Sequence, residues 1–130
     1  MKYKNILFST ITFLLIIGGA LIFVNQNNKN IEIGGGDNVA VKDNKQVIEI
    51  DAKGGYSPRK TLAKAGIPTI IRFKTSNTFD CSIAVRLPSK GVSKILPQTG
   101  SSDIDLGTST VGQFYGTCGM GMYSFEIDFN

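Results

Sequence analysis

The sulfur-containing residues of this chain are few, and most of them are clustered. Apart from Met1, they are Cys81 and the three sulfurs of Cys118-Gly119-Met120-Gly121-Met122. Thiolates and thioethers are soft donors, and together they select Cu(I) over hard cations such as Mg²⁺ and Ca²⁺. The residue types therefore predict a site for a monovalent, sulfur-seeking ion at Cys81, Cys118, Met120 and Met122.

Other kinds of metal site are excluded by what the sequence lacks. The chain contains no His and only two Cys. A blue-copper electron-transfer site needs two His beside its Cys, and a structural zinc site normally uses four Cys or His ligands. No group in the sequence is suited to bond-making catalysis, so we expect a metal-binding protein and not an enzyme.

Two other roles for these sulfurs stay open at this point. Cys81 and Cys118 could form a disulfide, above all if the domain faces outward. Met120 and Met122 could fill gaps in a core. The spacing favours metal, because glycine between the ligands removes side-chain bulk and widens the allowed dihedrals. In an extended segment, the three sulfurs from Cys118 onward would also point to one side.

The residues around these sulfurs alternate between apolar and polar, which is the period of a β-strand. The clearest case is Tyr123 to Phe129, where every second residue is aromatic or aliphatic. Turn residues separate the segments, and residues 90–96 predict a helical turn. Several short strands at this spacing predict an all-β sandwich over residues 46–130. The predicted strands cover residues 47–51, 69–74, 82–87, 104–106, 111–117 and 123–129.

The N-terminal part differs in composition from the rest. Residues 6–24 carry no charge, and a run of that length approaches the roughly 30 Å of a bilayer core. We predict one transmembrane helix at residues 5–25, with a cleaved secretory signal as the alternative. Residues 26–45 are rich in Asn and Gly and predict a flexible linker. The alternative for this segment is a loop with a strand at Ile31 to Ile33.

The charge of the chain says little about partners, but it excludes one class. The formal net charge is +4, from 14 Lys and Arg against 10 Asp and Glu. This mixture of signs is not the basic stripe that nucleic-acid binding requires. Basic residues on both sides of the apolar run leave the membrane orientation near balance.

Four motifs of this sequence resemble cupredoxin-like domains. The similar segments are Gly54-Gly55-Tyr56-Ser57-Pro58, Ala65-Gly66-Ile67-Pro68, Asn77-Thr78-Phe79-Asp80-Cys81-Ser82 and Cys118-Gly119-Met120-Gly121-Met122-Tyr123. Together with the preceding apolar run they are similar to the membrane-anchored copper(I) chaperones of streptococci, the CupA type. The N-terminal domain of some copper-exporting P-type ATPases is similar as well. The resemblance implies a cupredoxin-like Greek-key β-sandwich that binds Cu(I).

The resemblance also implies roles for the four sulfurs. Cys81 and Cys118 would hold the tighter Cu(I), and Met120 and Met122 would share these thiolates in holding a second, weaker ion. The copper would pass to the N-terminal metal-binding domain of a copper-exporting P-type ATPase, in copper homeostasis and resistance. The protein would be a single-pass protein of the cell membrane. Its copper-binding domain is expected on the cytoplasmic side, where the acceptor lies and thiols stay reduced.

Overall fold

The computed structural model describes residues 32–33 and 36–130 of the chain. The predicted transmembrane helix at residues 5–25 and the first part of the predicted linker lie outside the described residues. Within the described part, no helix is both long enough and apolar enough to cross a membrane.

The described residues form short strands and two 3-10 turns. The turns are Cys81–Ile83 and Pro88–Lys90. The strands are β1 (Glu32–Ile33), β2 (Val39–Lys42), β3 (Lys45–Ala52), β4 (Tyr56–Ser57), β5 (Lys60–Ala63), β6 (Pro68–Thr75), β7 (Ala84–Leu87), β8 (Val92–Ile95), β9 (Gly100–Thr108), β10 (Gly112–Cys118) and β11 (Ser124–Phe129).

The strands assemble into two sheets that pack face to face. The first sheet has the order β1-β2-β3-β6-β9, with β4 paired to β3, and the second has the order β5-β11-β10-β7-β8. The pairs β3–β6 and β5–β11 are parallel, and the remaining pairs are antiparallel. The predicted all-β sandwich is confirmed.

The core lies between the sheets and follows the alternation of the sequence. Inward-facing side chains of β3, β6 and β11 are almost completely buried, and each large one contributes about 1.5–3 kcal/mol to folding. These residues are Ile48, Ile50, Ile71, Phe73, Phe125 and Ile127. Polar residues between them face outward, so the period of two in the sequence directly specifies which face is buried.

Three aromatic rings form the centre of this core. Tyr56, Phe73 and Phe125 contact one another edge to face, with centroid separations of 5.0–6.0 Å. Gly116 on β10 lies directly opposite Phe125 on β11, and a Cβ atom at Gly116 would overlap the Phe125 ring. Glycine at this position therefore lets the ring lie across the strand two residues before Cys118.

The domain begins earlier than the sequence predicted. Strand β2 falls within the predicted linker, and its Val39 and Val41 are buried against the core. Asp43 and Asn44, both with positive φ, form the tight turn between β2 and β3. Two residues that tolerate the left-handed region between alternating segments are a hairpin signal. The Asn and Gly content of the preceding residues masked that signal.

The helical turn predicted for residues 90–96 is also wrong. A short 3-10 turn ends at Gly91, whose φ of 62° reverses the chain. Val92–Ile95 then runs back as β8 along β7, with Leu87 opposite Val92 and Ala84 opposite Ile95. The positive φ, which glycine adopts without strain, produces a hairpin in place of a helix.

Candidate metal centre

Cys81 lies on a 3-10 turn that leads into β7 at the edge of the core. The Asp80 carboxylate caps this turn by accepting hydrogen bonds from the amide of Ser82 at 2.8 Å and from the Ser82 hydroxyl. Its other oxygen accepts from the Gly54 amide at 2.8 Å. The Ser82 hydroxyl and these backbone amides lower the pKa of Asp80. The ionised carboxylate therefore ties the turn bearing Cys81 to the loop after β3.

Cys118 is the last residue of β10, in phase with the inward-facing Phe114 and Gly116. It is 1% exposed, so its sulfur lies inside the end of the sandwich. Antiparallel pairing of β10 with β7 places Cys118 opposite Val85, close to the turn that carries Cys81. The sheet register therefore brings together two cysteines that are 37 positions apart in the sequence.

The two cysteine sulfurs are in direct contact. Cys81 and Cys118 are joined as a disulfide with their Cα atoms 5.7 Å apart, and the described residues contain no free cysteine. The sequence left open whether these two cysteines form a disulfide or a metal site, and the structure shows the disulfide. Reduction of the bond would leave two thiols side by side at the end of the core, and a two-coordinate ion requires such a pair.

A backbone amide points at the sulfur of Cys118. The Tyr123 N–H donates to the Cys118 Sγ at 3.4 Å, and the Cys118 N–H donates to the Tyr123 carbonyl at 2.9 Å. A donor aimed at sulfur favours a thiolate over a neutral thiol. Metal ligation by Cys needs the thiolate, and this N–H would donate to the ligand sulfur if reduction of the bond left the hairpin unchanged.

The segment between β10 and β11 is a tight turn and not an extended strand. The Gly121 N–H donates to the Cys118 carbonyl at 2.9 Å, and Gly121 has a φ of 72°, which favours glycine. A Cβ atom at Gly119 would lie 3.3 Å from the Cβ atom of Ala84. The alternation that would direct all three sulfurs to one side of an extended segment therefore does not apply, because the chain reverses within it.

Met120 and Met122 lie on the outer part of the same turn. They are 79% and 65% exposed, so neither fills the core. Exposed thioethers of this kind are free to approach an ion from the solvent side. The structure thus brings Cys81 and Cys118 into contact, and it places the two methionines on the turn that continues from Cys118.

An open cleft of about 420 Å³ lies beside this turn. Met122, Tyr123 and Ser124 line one part of it, and the loop after β3 lines the rest, including Lys53 and Arg59. Tyr56 also lines the cleft, and its hydroxyl is buried without a hydrogen-bond partner among the described residues. Burial, and secondarily the charge of Asp80, raises the pKa of Tyr56, which therefore stays a neutral phenol.

Carboxylates do not add to the candidate site. Within residues 32–33 and 36–130, no group of three or more His, Cys, Asp or Glu side chains is arranged to hold a metal ion. The candidate ligands at this end are therefore still the two cysteines and the two methionines. This donor set fits Cu(I) and does not fit a hard divalent cation.

Sequence reasoning missed three features of this site. The Asp80 cap had a signal, because Asp two residues before Ser is typical of a capping turn. The basic cleft and the Tyr123 N–H donor had none. The cleft depends on which loops meet at this end of the sandwich. The Tyr123 donor depends on the direction of a backbone amide.

Solved structures with a similar fold include copper proteins. The metal-binding domain of the Cu(I) exporting P-type ATPase CopA of Streptococcus pneumoniae D39 has a TM-score of 0.62 and 21% identity, covering 71% of this chain and 92% of that domain. A copper binding protein solved in the apo form has a TM-score of 0.66 and 25% identity, covering 73% and 97%. A comparison with curated protein sequences finds no match.

The sequence as a whole also matches a protein family. The match is to the cupredoxin-like domain family and extends over residues 14–127. It includes every strand of both sheets except the end of β11, and it includes all four sulfurs singled out by the sequence. The chain therefore belongs to the cupredoxin-like domain family.

Proposed function

We propose that this protein is a membrane-tethered Cu(I) chaperone that buffers copper(I) and passes it to a copper-exporting P-type ATPase, in copper homeostasis and resistance. The observation that carries this proposal is the contact between Cys81 and Cys118 at the end of the sandwich, with Met120 and Met122 on the adjoining turn. Cu(I) is cargo in this proposal. The four sulfurs and the absence of His match the soft-donor chemistry that it needs.

The copper-binding form is the reduced one. Two electrons and two protons from a cellular dithiol convert the disulfide to two thiols, and the dithiol becomes a disulfide in turn. Cu(I) then replaces the two thiol protons and bonds to both sulfurs. The Tyr123 N–H, 3.4 Å from the Cys118 Sγ, stabilises the negative charge left on that ligand.

The two methionines would serve a second, weaker site. Thioethers carry no charge, so they bind Cu(I) less strongly than thiolates do and release it more readily. Met120 and Met122 are exposed on the same turn as the buried Cys118. In the proposed arrangement, an ion shared between thiolate and thioether lies on the route by which copper enters or leaves.

The comparisons support copper and the kind of acceptor. The apo copper binding protein shares the fold at 25% identity, nearly over its whole length. The ATPase metal-binding domain, which was solved with Cu(I), shares the fold. Donor and acceptor of the same fold can pass an ion by ligand exchange between sites of similar shape. The uncharged run at residues 6–24 would keep the domain near a membrane-bound acceptor and raise its effective concentration.

The proposal is tested by counting thiols and copper together. The full-length protein is purified under anaerobic, reducing conditions and titrated with Cu(I) against a chromophoric chelator. We expect two reactive thiols before the titration, none after one equivalent of Cu(I), and a second, weaker binding phase. Two free thiols that remain reactive in the presence of Cu(I) would contradict the proposal.

A second candidate function is an outward-facing binding module without metal, in which the Cys81–Cys118 bond is a permanent staple. The joined sulfurs are the observation that favours it. It predicts that protein trapped by alkylation as cells are lysed contains no free thiol. It also predicts that the reduced protein does not bind Cu(I). An electron-transfer cupredoxin is disfavoured, because the sequence contains no His.

A further inference from the structure

The cleft beside the sulfur turn has the features of a binding site for a small anion. It has a volume of about 420 Å³ and is lined by Lys53 and Arg59 and by two serines, Ser57 and Ser124. Its backbone comes partly from Gly54 and Gly55, both with positive φ. Two cations and two serine hydroxyls on one concave surface would favour carboxylates.

The two cations of the cleft are not used inside the domain. Other basic side chains on the sheets form ion pairs: Lys60 with Glu126 and Asp128, Arg72 with Asp103, and Lys74 with Glu49. Among the described residues, the side chains of Lys53 and Arg59 make no ion pair or hydrogen bond. Asp80 accepts three hydrogen bonds, one of them from the Gly54 amide, and keeps one negative charge close to the cleft. The two positive charges of Lys53 and Arg59 outnumber the single negative charge of Asp80, so the cleft offers a net positive charge to a ligand.

The position of the cleft connects it with copper. Met122 and Tyr123 line it, and the same turn holds Cys118 through the Tyr123 N–H. A ligand seated between Lys53 and Arg59 would thus lie beside an exposed thioether. The volume of the cleft and its positive charge fit a small thiol that carries carboxylates. Thiols of this kind hold Cu(I) in solution.

We propose that this cleft is a docking site for a small anionic thiol that delivers Cu(I), seated by Lys53 and Arg59 so that its sulfur faces Met122. The inference rests on the proposed copper function and adds the donor to it. The transfer is a ligand exchange without change of oxidation state. Bonds from Cu(I) to the carrier sulfur break, bonds to the sulfurs of this protein form, and the released carrier thiolate takes up a proton.

Binding at the cleft can be tested without copper. S-methylglutathione keeps the carboxylates of a small anionic thiol but cannot exchange with the disulfide. We expect it to shift the amide resonances of Gly54, Gly55 and Ser124 in the isotope-labelled full-length protein, in a saturable titration. Lys53→Glu/Arg59→Glu should weaken this binding by about tenfold, since it replaces two exposed attractions for the carboxylates by two repulsions.

The matched control is Lys42→Glu/Lys45→Glu. It makes the same change in net charge at the turn between β2 and β3, at the far end of β3 from Lys53, and should leave binding unchanged. The diethyl ester of S-methylglutathione, which lacks the carboxylates, should not bind. The proposal is overturned if the amides do not shift, if both double variants weaken binding equally, or if the ester binds as well as the acid.

Copper delivery is measured separately. The loading rate of the reduced protein from Cu(I)-glutathione should fall about tenfold in Lys53→Glu/Arg59→Glu, with the final copper content unchanged. Unchanged loading rates would overturn the delivery role. Failure of the wild type to bind any Cu(I) would instead overturn the proposed function. The titration with S-methylglutathione would still show whether the cleft binds a small anion, because it contains no copper.

Discussion

The turn from Cys118 to Met122 combines two kinds of sulfur. Cys118 is 1% exposed, is hydrogen-bonded at its sulfur, and belongs to a strand of the core. Only two residues further on, Met120 is 79% exposed, and Met122 is 65% exposed. One segment therefore holds a fixed, buried cysteine sulfur and two accessible thioethers.

This difference separates retention of an ion from its exchange. Cys118, fully buried in β10, and Cys81, partly buried on the capped 3-10 turn, together form the buried pair. As thiolates they would be shielded from water and competing ligands, and the strand and the turn fix their positions. Exposed thioethers on a turn can contact an incoming copper carrier or acceptor without a rearrangement of the sheets. If copper is the cargo, the buried pair should determine the affinity for the first Cu(I). The exposed pair, Met120 and Met122, should determine the affinity for the second Cu(I) and the rates at which copper is taken up and released.

Removing one cysteine sulfur should have the largest effect on copper binding. Cys81→Ser or Cys118→Ser should weaken binding of the first Cu(I) by on the order of a thousandfold, about 4 kcal/mol, because a hydroxyl cannot replace a thiolate for this soft ion. Competition with a chromophoric Cu(I) chelator measures the change. Circular dichroism of each variant checks that the sandwich is folded, and unchanged affinity in a folded variant would show that the buried pair is not the tight site.

The state of the buried pair should also change the stability of the domain. The bond closes a loop of 37 residues, and chain-entropy reasoning predicts that the oxidised form is about 4 kcal/mol more stable than the reduced form. Urea unfolding of the two forms measures the difference. Cu(I) added to the reduced protein should recover much of it, since a ligand that binds only the folded state stabilises that state. If Cu(I) does not increase the stability of the reduced form, the result would favour the second candidate function, in which the disulfide is permanent.

The exposed pair should have a smaller effect. Met120→Leu/Met122→Leu keeps the size of both side chains but removes the thioethers, so binding of the first ion should change less than about twofold. Binding of the second ion should weaken by about tenfold or more. The same chelator competition resolves both phases. Equal loss of both ions would mean that all four sulfurs act as one site.

The sequence predicted the parts of this molecule that depend on residue type and local period. Alternation in β3, β6 and β11 specified the buried face. The soft donors single out Cys81, Cys118, Met120 and Met122 as candidate copper ligands, and their role as ligands stays a prediction. The contact between Cys81 and Cys118 depends on the register of β7 against β10, which no local pattern contains.

The differences between the sequence predictions and the structure also have causes in particular residues. The tight turn at Asp43 and Asn44 lies in a segment whose composition is typical of linkers, so β2 was not predicted. An extended segment at Cys118 to Met122 was only a condition for the one-sided arrangement of the sulfurs, and it is not met because the Gly121 N–H closes a turn onto the Cys118 carbonyl. The Lys53 and Arg59 cleft combines residues whose individual positions in the sequence suggest no site.

The smallest expected effect concerns the turn that holds Cys81. Asp80→Ala removes the acceptor of the Ser82 and Gly54 amides and should destabilise the domain by about 1 kcal/mol at neutral pH. Asp80→Asn keeps one neutral acceptor and should cost less. Asp105→Asn, at a carboxylate that accepts from the Gly107 amide, is a control away from the sulfurs.

The pH dependence of this effect has a definite sign. Hydrogen bonds from the Ser82 hydroxyl, and from the amides of Ser82 and Gly54, lower the pKa of Asp80 below its ordinary value of 3.8. The unfolded chain therefore binds the proton more readily, so the contribution of Asp80 is complete above that value. It is lost as the pH falls through the lower folded pKa. The stability difference between wild type and Asp80→Asn in urea should be constant near neutral pH and shrink on acidification. A difference that grows as the pH falls would mean that the carboxylate does not hold the Cys81 turn as a charged cap.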